Sequence, residues 1–246
     1  MTPEEIKILA TKNLATLKAN PYPGRGIIVG LGNGGFSYVI ASFIMGRSLN
    51  SRNRIYKAEE GGILKTTPAD PSKVEDPSLI IYTAMDQHNG RYVVSNGHQT
   101  SDILTNGFNW DFGKQMKKWS YEPDMPNFTP RITAVIESAG KNPLEAKISV
   151  IKKSSFDQRT NRLQYNLGLE PGYGYCVTTY SGDGNPLPSF EGEPFLVPLN
   201  GDAVEIAQKL WEKLNPNNRV SLAVKMIDMS TKDITIKIIN KYKALV

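Results

Sequence analysis

The glycine cluster Gly30-Leu31-Gly32-Asn33-Gly34-Gly35 constrains the fold more than any other segment, because it forces a choice between two architectures. It satisfies G-x-G-x-x-G directly after the strand-like run Gly26 to Leu31, the pattern of a dinucleotide-binding loop. Such a loop must open into a helix and lead to a parallel sheet. Here the next run, Phe36 to Met45, contains Phe36, Tyr38, Val39, Ile40 and Phe43, which favour strand. Asn33-Gly34 is itself a hairpin signal. The segment therefore predicts an antiparallel hairpin and sets the nucleotide loop aside.

The rest of the chain extends that choice. Thr2, Pro3 and Glu5 form a helix-start signal, and Ile6, Leu9, Ala10, Leu14 and Leu17 recur at helical spacing, with Asn13 as the polar exception. This predicts a docking helix over 2–19, with Thr2 as its cap and not a terminal nucleophile. Residues 57–78, rich in charge, glycine and proline, read as a long connection. Leu79 to Met85 and Arg91 to Ser95 read as a hairpin turning at His88-Asn89-Gly90, and 102–104 and 112–119 as helical around Gly107. Arg131 to Ser138, Ala146 to Lys152 and Gly174 to Tyr180 are expected strands. Asp202 starts a helix, followed by strands Arg219 to Ile227 and Asp233 to Ile239. Strand runs flanked by helices predict a single α+β domain over all 246 residues.

Composition narrows the function classes. Apolar residues make up 39% of the chain, and no apolar run approaches a membrane span. A lone cysteine, Cys176, excludes an internal disulfide, and no secretory signal is legible, so a cytoplasmic setting is expected. Two histidines and one cysteine are too few for a soft metal site, a carboxylate-bound magnesium stays open, and no cofactor is expected. The net charge of +5 is scattered, its tightest arginine group being Arg47, Arg52 and Arg54. That pattern fits a phosphorylated small molecule better than nucleic acid or a membrane.

The densest polar segment is Tyr121 to Ile132, YEPDMPNFTPRI. Pro123, Pro126 and Pro130 bar it from an ordinary helix or central strand, while Glu122, Asp124, Asn127 and Arg131 offer an acid, an amide and a guanidinium. There is no G-x-S-x-G elbow, P-loop or H-E-x-x-H, so covalent and zinc chemistry lose their simplest support. Cys176 reads as core, and His98 as either a ligand donor or a turn residue.

Gly46-Arg47-Ser48 with Ser51-Arg52-Asn53-Arg54, Ile80-Ile81-Tyr82, Val93-Val94-Ser95-Asn96-Gly97-His98 and Thr129-Pro130-Arg131-Ile132 occur together and in order. With Thr179-Tyr180 ahead of Gly182-Asp183, the chain over about 23–195 resembles the archaeal-type inosine monophosphate (IMP) cyclohydrolase family. The N-terminal helix and the end of the chain depart from it. The resemblance implies a four-layer αββα sandwich like that of N-terminal-nucleophile hydrolases, used without a terminal nucleophile. It also implies dehydrative closure of 5-formamidoimidazole-4-carboxamide ribonucleotide to inosine monophosphate in purine synthesis.

By that resemblance Glu122 transfers the proton, and Tyr82 and Arg54 polarise or orient the reacting amides. Arg47 and Asn53 hold phosphate or ribose, and Asn96 and Arg131 contact or support the ligand. The implied partner is a purine ribonucleotide; a homo-oligomer is left open. An amide hydrolase on the same scaffold, or a purine nucleotide-binding protein without catalysis, are the competing readings.

Overall fold

The computed structural model describes residues 1–74, 77, 80–104, 110–139 and 141–244. The hairpin over the glycine cluster forms: β1 (Arg25–Leu31) and β2 (Ser37–Met45) run antiparallel, with Arg25 opposite Ile44 and Leu31 opposite Tyr38. Its turn is longer than Asn33-Gly34 alone implies. The Gly35 N–H donates to Gly32 O at 2.9 Å, and Gly35 takes the left-handed φ of 73°, which suits a residue without a Cβ. The second hairpin is tighter. Asn89 and Gly90, with φ of 50° and 71°, link β5 (Thr83–His88) to β6 (Arg91–Ser95), as a two-residue turn between twisted strands requires.

All strand pairing within the two sheets is antiparallel. Around the first hairpin, β10 (Tyr173–Thr178), β11 (Phe195–Pro198), β12 (Arg219–Asp228) and β13 (Ile234–Asn240) complete a six-stranded sheet ordered β11-β10-β1-β2-β12-β13. The other sheet is a seven-stranded meander in chain order. Its strands are β3 (Ile55–Ala58), β4 (Leu64–Thr67), β5, β6, β7 (Arg131–Glu137), β8 (Glu145–Lys153) and β9 (Thr160–Gly168).

Period-2 alternation sorts the core into three seams. Ile27, Val29 and Ile40 of the first sheet pack against Met85, Val94, Ala134 and Ile148 of the second. On the far face of the six-stranded sheet, Ile28, Val39 and Phe43 meet helices α1 (Pro3–Ala19) and α5 (Ala203–Lys213) through Leu17, Ile206 and Leu210. On the far face of the meander, Val93 and Val135 meet α3 (Gln99–Leu104) and α4 (Phe112–Met116) through Ile103, Phe112 and Met116. The layers therefore succeed one another as helix, sheet, sheet, helix. Each fully buried aliphatic side chain contributes about 1.5–3 kcal/mol, so β1, buried on both faces, anchors two seams at once.

Several local signals take the form read from the sequence. Thr2 caps α1, accepting from the Glu5 N–H, while Glu5 accepts from the Thr2 N–H at 2.6 Å. Asp202 caps α5 in the same reciprocal way. Asn13, the polar member of the α1 stripe, donates its Nδ2 to Leu196 O at 3.0 Å and so ties the helix to edge strand β11. The stripe docks only in part, since Leu9 stays 36% exposed.

Other segments correct the sequence reading. Residues 57–78 are no mere connection, because they complete β3 and contain β4, too short for a period to show. β9 and β11 also form without a sequence signal. β9 is an edge strand with most of its side chains exposed, and β11 is preceded by Pro194 and ends at Pro198. Leu79 and Gly107, at the expected start of one strand and the middle of one helical region, lie outside the described residues.

Candidate functional site

A cavity of about 370 Å³ opens where β1 begins and β2 ends. Arg25, at the first position of β1, and Met45, at the last of β2, form one wall together with Arg47, Ser51 and Arg54 from the segment joining β2 to β3. The opposite wall is the proline-rich loop, through Glu122, Asp124, Asn127 and Thr129, with Tyr180 beyond β10.

The loop is a closed ring. The Glu122 N–H donates to Thr129 O at 2.9 Å, the Asn127 and Phe128 N–H groups both donate to Asp124 O at 3.0 Å, and the Thr129 N–H donates to Asp124 Oδ1 at 2.7 Å. Asn127 Oδ1 accepts from the Leu187 N–H at 3.0 Å, which fastens the loop to the segment after Tyr180. Prolines therefore frame a loop whose conformation is fixed by its own backbone.

Glu122 is buried between two guanidinium groups. Arg25 Nη2 donates to Glu122 Oε2 at 2.6 Å, and Arg131 Nη1 lies 3.5 Å from Oε1. Arg25 is oriented by a second bond, from Nη1 to Asn96 O at 2.7 Å. Burial is the largest single influence and opposes the Arg25 charge, but Glu122, together with Tyr82 and Tyr180, holds Arg25 above its ordinary value. Arg131 is stacked over Trp119 at 4.9 Å and donates from Nε to Ser120 O at 2.9 Å. Its charge is pushed down chiefly by burial. Gly97 permits this crowding, since a Cβ there would stand 2.7 Å from Arg131 Nη1.

Arg54 is the exception among these cations. It is 7% exposed and donates to two backbone oxygens, Ser51 O at 3.0 Å and Met45 O at 3.2 Å. Among the described residues no carboxylate pairs with it, so burial, with Arg25 adding to it, pushes the guanidinium below its ordinary value. Arginine stays protonated even so, and an unpaired buried guanidinium on a cavity wall is a strong anion seat. Arg47 stands at the half-exposed rim, ion-paired to Asp183, donating to Gly184 O at 3.0 Å and stacked over Tyr22 at 4.8 Å. Tyr22 in turn stacks on Tyr180, their ring centroids 6.0 Å apart.

Of the residues singled out from the sequence, Glu122, Asp124, Asn127, Arg54 and Arg47 line the cavity. Tyr82 does not. Its ring lies in the seam between the sheets with His98 edge-on at 6.3 Å, near enough to Arg25 and Arg54 to act on their charge. Asn53 and Asn96 are likewise off the wall. The Asn53 amide bonds the Asp70 backbone in both directions, at 2.8 and 2.7 Å. Asn96 donates to Pro130 O at 2.8 Å and accepts from the Ile132 N–H at 2.9 Å. Arg131 reaches the cavity only through Glu122, and Arg52 bonds Gly46 O at 3.0 Å, away from it.

Arg25, Tyr22, Thr129 and Tyr180 are among the cavity residues the sequence reading left without a role. The only signal for Arg25 was its place at the head of a buried strand, where a charge needs a partner. Cys176 is buried in the helix-facing seam, its thiol pushed up by burial, and takes no part. Among the described residues no three His, Cys, Asp or Glu side chains gather as metal ligands would, and no helix is long and apolar enough to cross a membrane.

A family model described as IMP cyclohydrolase-like protein matches residues 22–233. The match begins just after α1, which agrees with the departure of that helix from the family pattern. It extends beyond the recognised motifs through α5 and β12. No curated protein matches the chain.

Proposed function

This chain belongs to the IMP cyclohydrolase family, and from that premise we propose that it closes 5-formamidoimidazole-4-carboxamide ribonucleotide to inosine monophosphate with loss of water. The observation that carries the reading is Arg54, a buried guanidinium without a carboxylate partner, facing a cavity of nucleotide size beside Arg25 and Arg47. In this reading the helix-sheet-sheet-helix order is the N-terminal-nucleophile hydrolase scaffold put to another use, and the setting is cytoplasmic. Thr2 is exposed and its hydroxyl caps α1, which favours cyclisation over amide hydrolysis by a terminal nucleophile.

The chemistry asks for two things. The carboxamide nitrogen must be held against the formyl carbon, and charge developing on the formyl oxygen must be stabilised. Arg47, at the rim, takes the phosphate. Arg54, with Tyr82 behind it, faces the formyl oxygen. Glu122 fixes Arg25 and Arg131, so its part is to orient, with both carboxylate oxygens already turned to guanidinium groups. Asn96 supports Arg25 through its backbone oxygen, and Asn53 supports the Arg54 segment.

The test is direct. Purified chain is mixed with the formylated ribonucleotide, and monophosphate product is followed by chromatography. Catalysed closure well above the uncatalysed rate is expected. Folded protein that binds the ribonucleotide but does not close it leaves only a nucleotide-binding protein.

A further inference from the structure

The loop brings two carboxylates to the cavity, and they are connected differently. Glu122 touches guanidinium groups at both oxygens. Asp124 makes no ion pair with a described residue and is joined to hydroxyls instead. The Thr129 hydroxyl donates to Asp124 Oδ2 and accepts from the Tyr180 hydroxyl, while Asp124 Oδ1 takes the Thr129 N–H at 2.7 Å. All three side chains line the cavity, with Thr129 2% and Tyr180 5% exposed. The N–H groups of Glu122, Asn127, Phe128 and Thr129 already close the loop. The hydroxyl pair adds a continuous path from the carboxylate to a phenol on the cavity wall.

We propose that Tyr180, Thr129 and Asp124 form a proton relay for ring closure, with Tyr180 as the catalytic residue that touches substrate and Asp124 as the store at its far end. The proposal rests on the cyclohydrolase reading and moves proton transfer from Glu122 to Asp124. In the first step the carboxamide nitrogen bonds the formyl carbon and the C=O π pair moves to oxygen. The relay takes an N–H proton from that nitrogen through Tyr180 and returns one to the oxygen, giving the carbinolamine. In the second step the ring nitrogen that carried the formyl group forms C=N as the C–O bond breaks. The relay takes that nitrogen's proton and delivers one to the departing hydroxyl. Two protons and the formyl oxygen leave as water, and Asp124 returns to its starting state each time.

The surroundings suit a proton store. Arg25 and Glu122 face Asp124, with Arg131 also within electrostatic reach, and Arg25, Tyr22 and Asp124 face Tyr180. Burial is the leading influence on both groups. It raises the Asp124 carboxyl above the usual range against the Thr129 bonds, and pushes the Tyr180 phenol up to about 12. A carboxyl shifted toward neutrality and joined to hydroxyls is well matched to receiving and giving back a proton.

Turnover against pH tests the relay in the full-length chain and in Asp124→Asn, Tyr180→Phe and their combination. Each single change is expected to lower kcat by about 10²–10⁴-fold with little change in KM. The double variant should be no worse than the poorer single one, because the residues act as a unit. The acid limb of the kcat profile, where Asp124 must lose its proton, should vanish in Asp124→Asn. Thr129→Val should lose turnover, and Thr129→Ser, which retains the hydroxyl, should recover much of that loss, a contrast that serves even if an Asp124 variant fails to fold. Losses that multiply, or an unchanged acid limb in folded Asp124→Asn, overturn the relay alone. A folded wild-type chain that binds the ribonucleotide without closing it overturns the cyclohydrolase reading and the relay with it.

Discussion

Arg54 and Lys225 are both buried cations without an ion pair among the described residues, and the fold treats them oppositely. Lys225, on β12, is fully buried and its ammonium donates to Gln87 Oε1 from the other sheet. Burial pushes its pKa down to about 8, against a weaker opposing pull from Asp86. Arg54 opens on the cavity and rests on two backbone oxygens. A lysine in a sealed seam can shed its proton, whereas a guanidinium keeps its charge and needs an anion to complete it. The difference separates a tolerated core cation from a seat for a ligand.

The sharpest way to break that comparison is at Arg54. Arg54→Met should lower kcat/KM by about 10²–10³-fold, the loss typical of one charge-stabilising donor. Arg54→Lys should rescue turnover only at low pH, since a lysine there would lose its proton as pH rises, as Lys225 does. Pulse kinetics from pH 6 to 9 would show it, and a flat Arg54→Lys profile would sink the anion-seat reading.

Of comparable size is Glu122→Gln, which leaves Arg25 and Arg131 buried without their shared counter-ion. Breaking a buried pair from one side costs about 3–5 kcal/mol, and a calorimetric Tm lower by roughly 6 °C or more is expected for a chain of this size. An unchanged Tm would mean that Glu122 does not hold the two arginines in place.

A smaller effect, of opposite sign, is expected at Lys225. The unfolded lysine keeps its proton up to about 10.5 and the folded one to about 8, so between these values the unfolded state binds more protons and stability rises with pH. Lys225→Met should flatten that rise in urea titrations and be neutral or stabilising by about 1–4 kcal/mol. Destabilisation would show that the Gln87 bond outweighs the burial of the charge.

The smallest change belongs to the rim. Arg47→Ala should weaken binding of the phosphorylated ligand by about 1 kcal/mol and that of its nucleoside less, with the gap closing at high salt. Calorimetric titration with both ligands reads the difference, and equal losses would make Arg47 structural.

What could be read in advance follows the range over which each signal acts. The caps at Thr2 and Asp202, the Asn89-Gly90 turn and the buried alternation of β1 and β2 are decided by residues a few positions apart. The Glu122 loop stood out because three prolines leave its polar residues no ordinary helix or central strand, and the fold places it on the cavity wall. β3, β4, β9 and β11 were not legible, because a short or exposed strand forms only when a neighbour supplies its hydrogen bonds. Asn53 and Asn96 looked like ligand amides for the same reason that they are not wall residues: in a chain read linearly, a free amide and one bonded to Asp70 or Pro130 are the same letter.

The sequence by itself determined the antiparallel character of the fold, the family and part of the cavity wall, the segment from Arg47 to Arg54 and the Glu122 loop. Only the tertiary structure decided which side chains there are free. Arg25 and Glu122 are 97 residues apart, and Thr129 and Tyr180 are 51. Local spacing cannot report that one carboxylate is neutralised by cations while its neighbour ends a line of hydroxyls. The reason is physical: the role of a charged or polar group is set by what desolvates it and what pairs with it, and both arrive from distant parts of the chain when the sheets close.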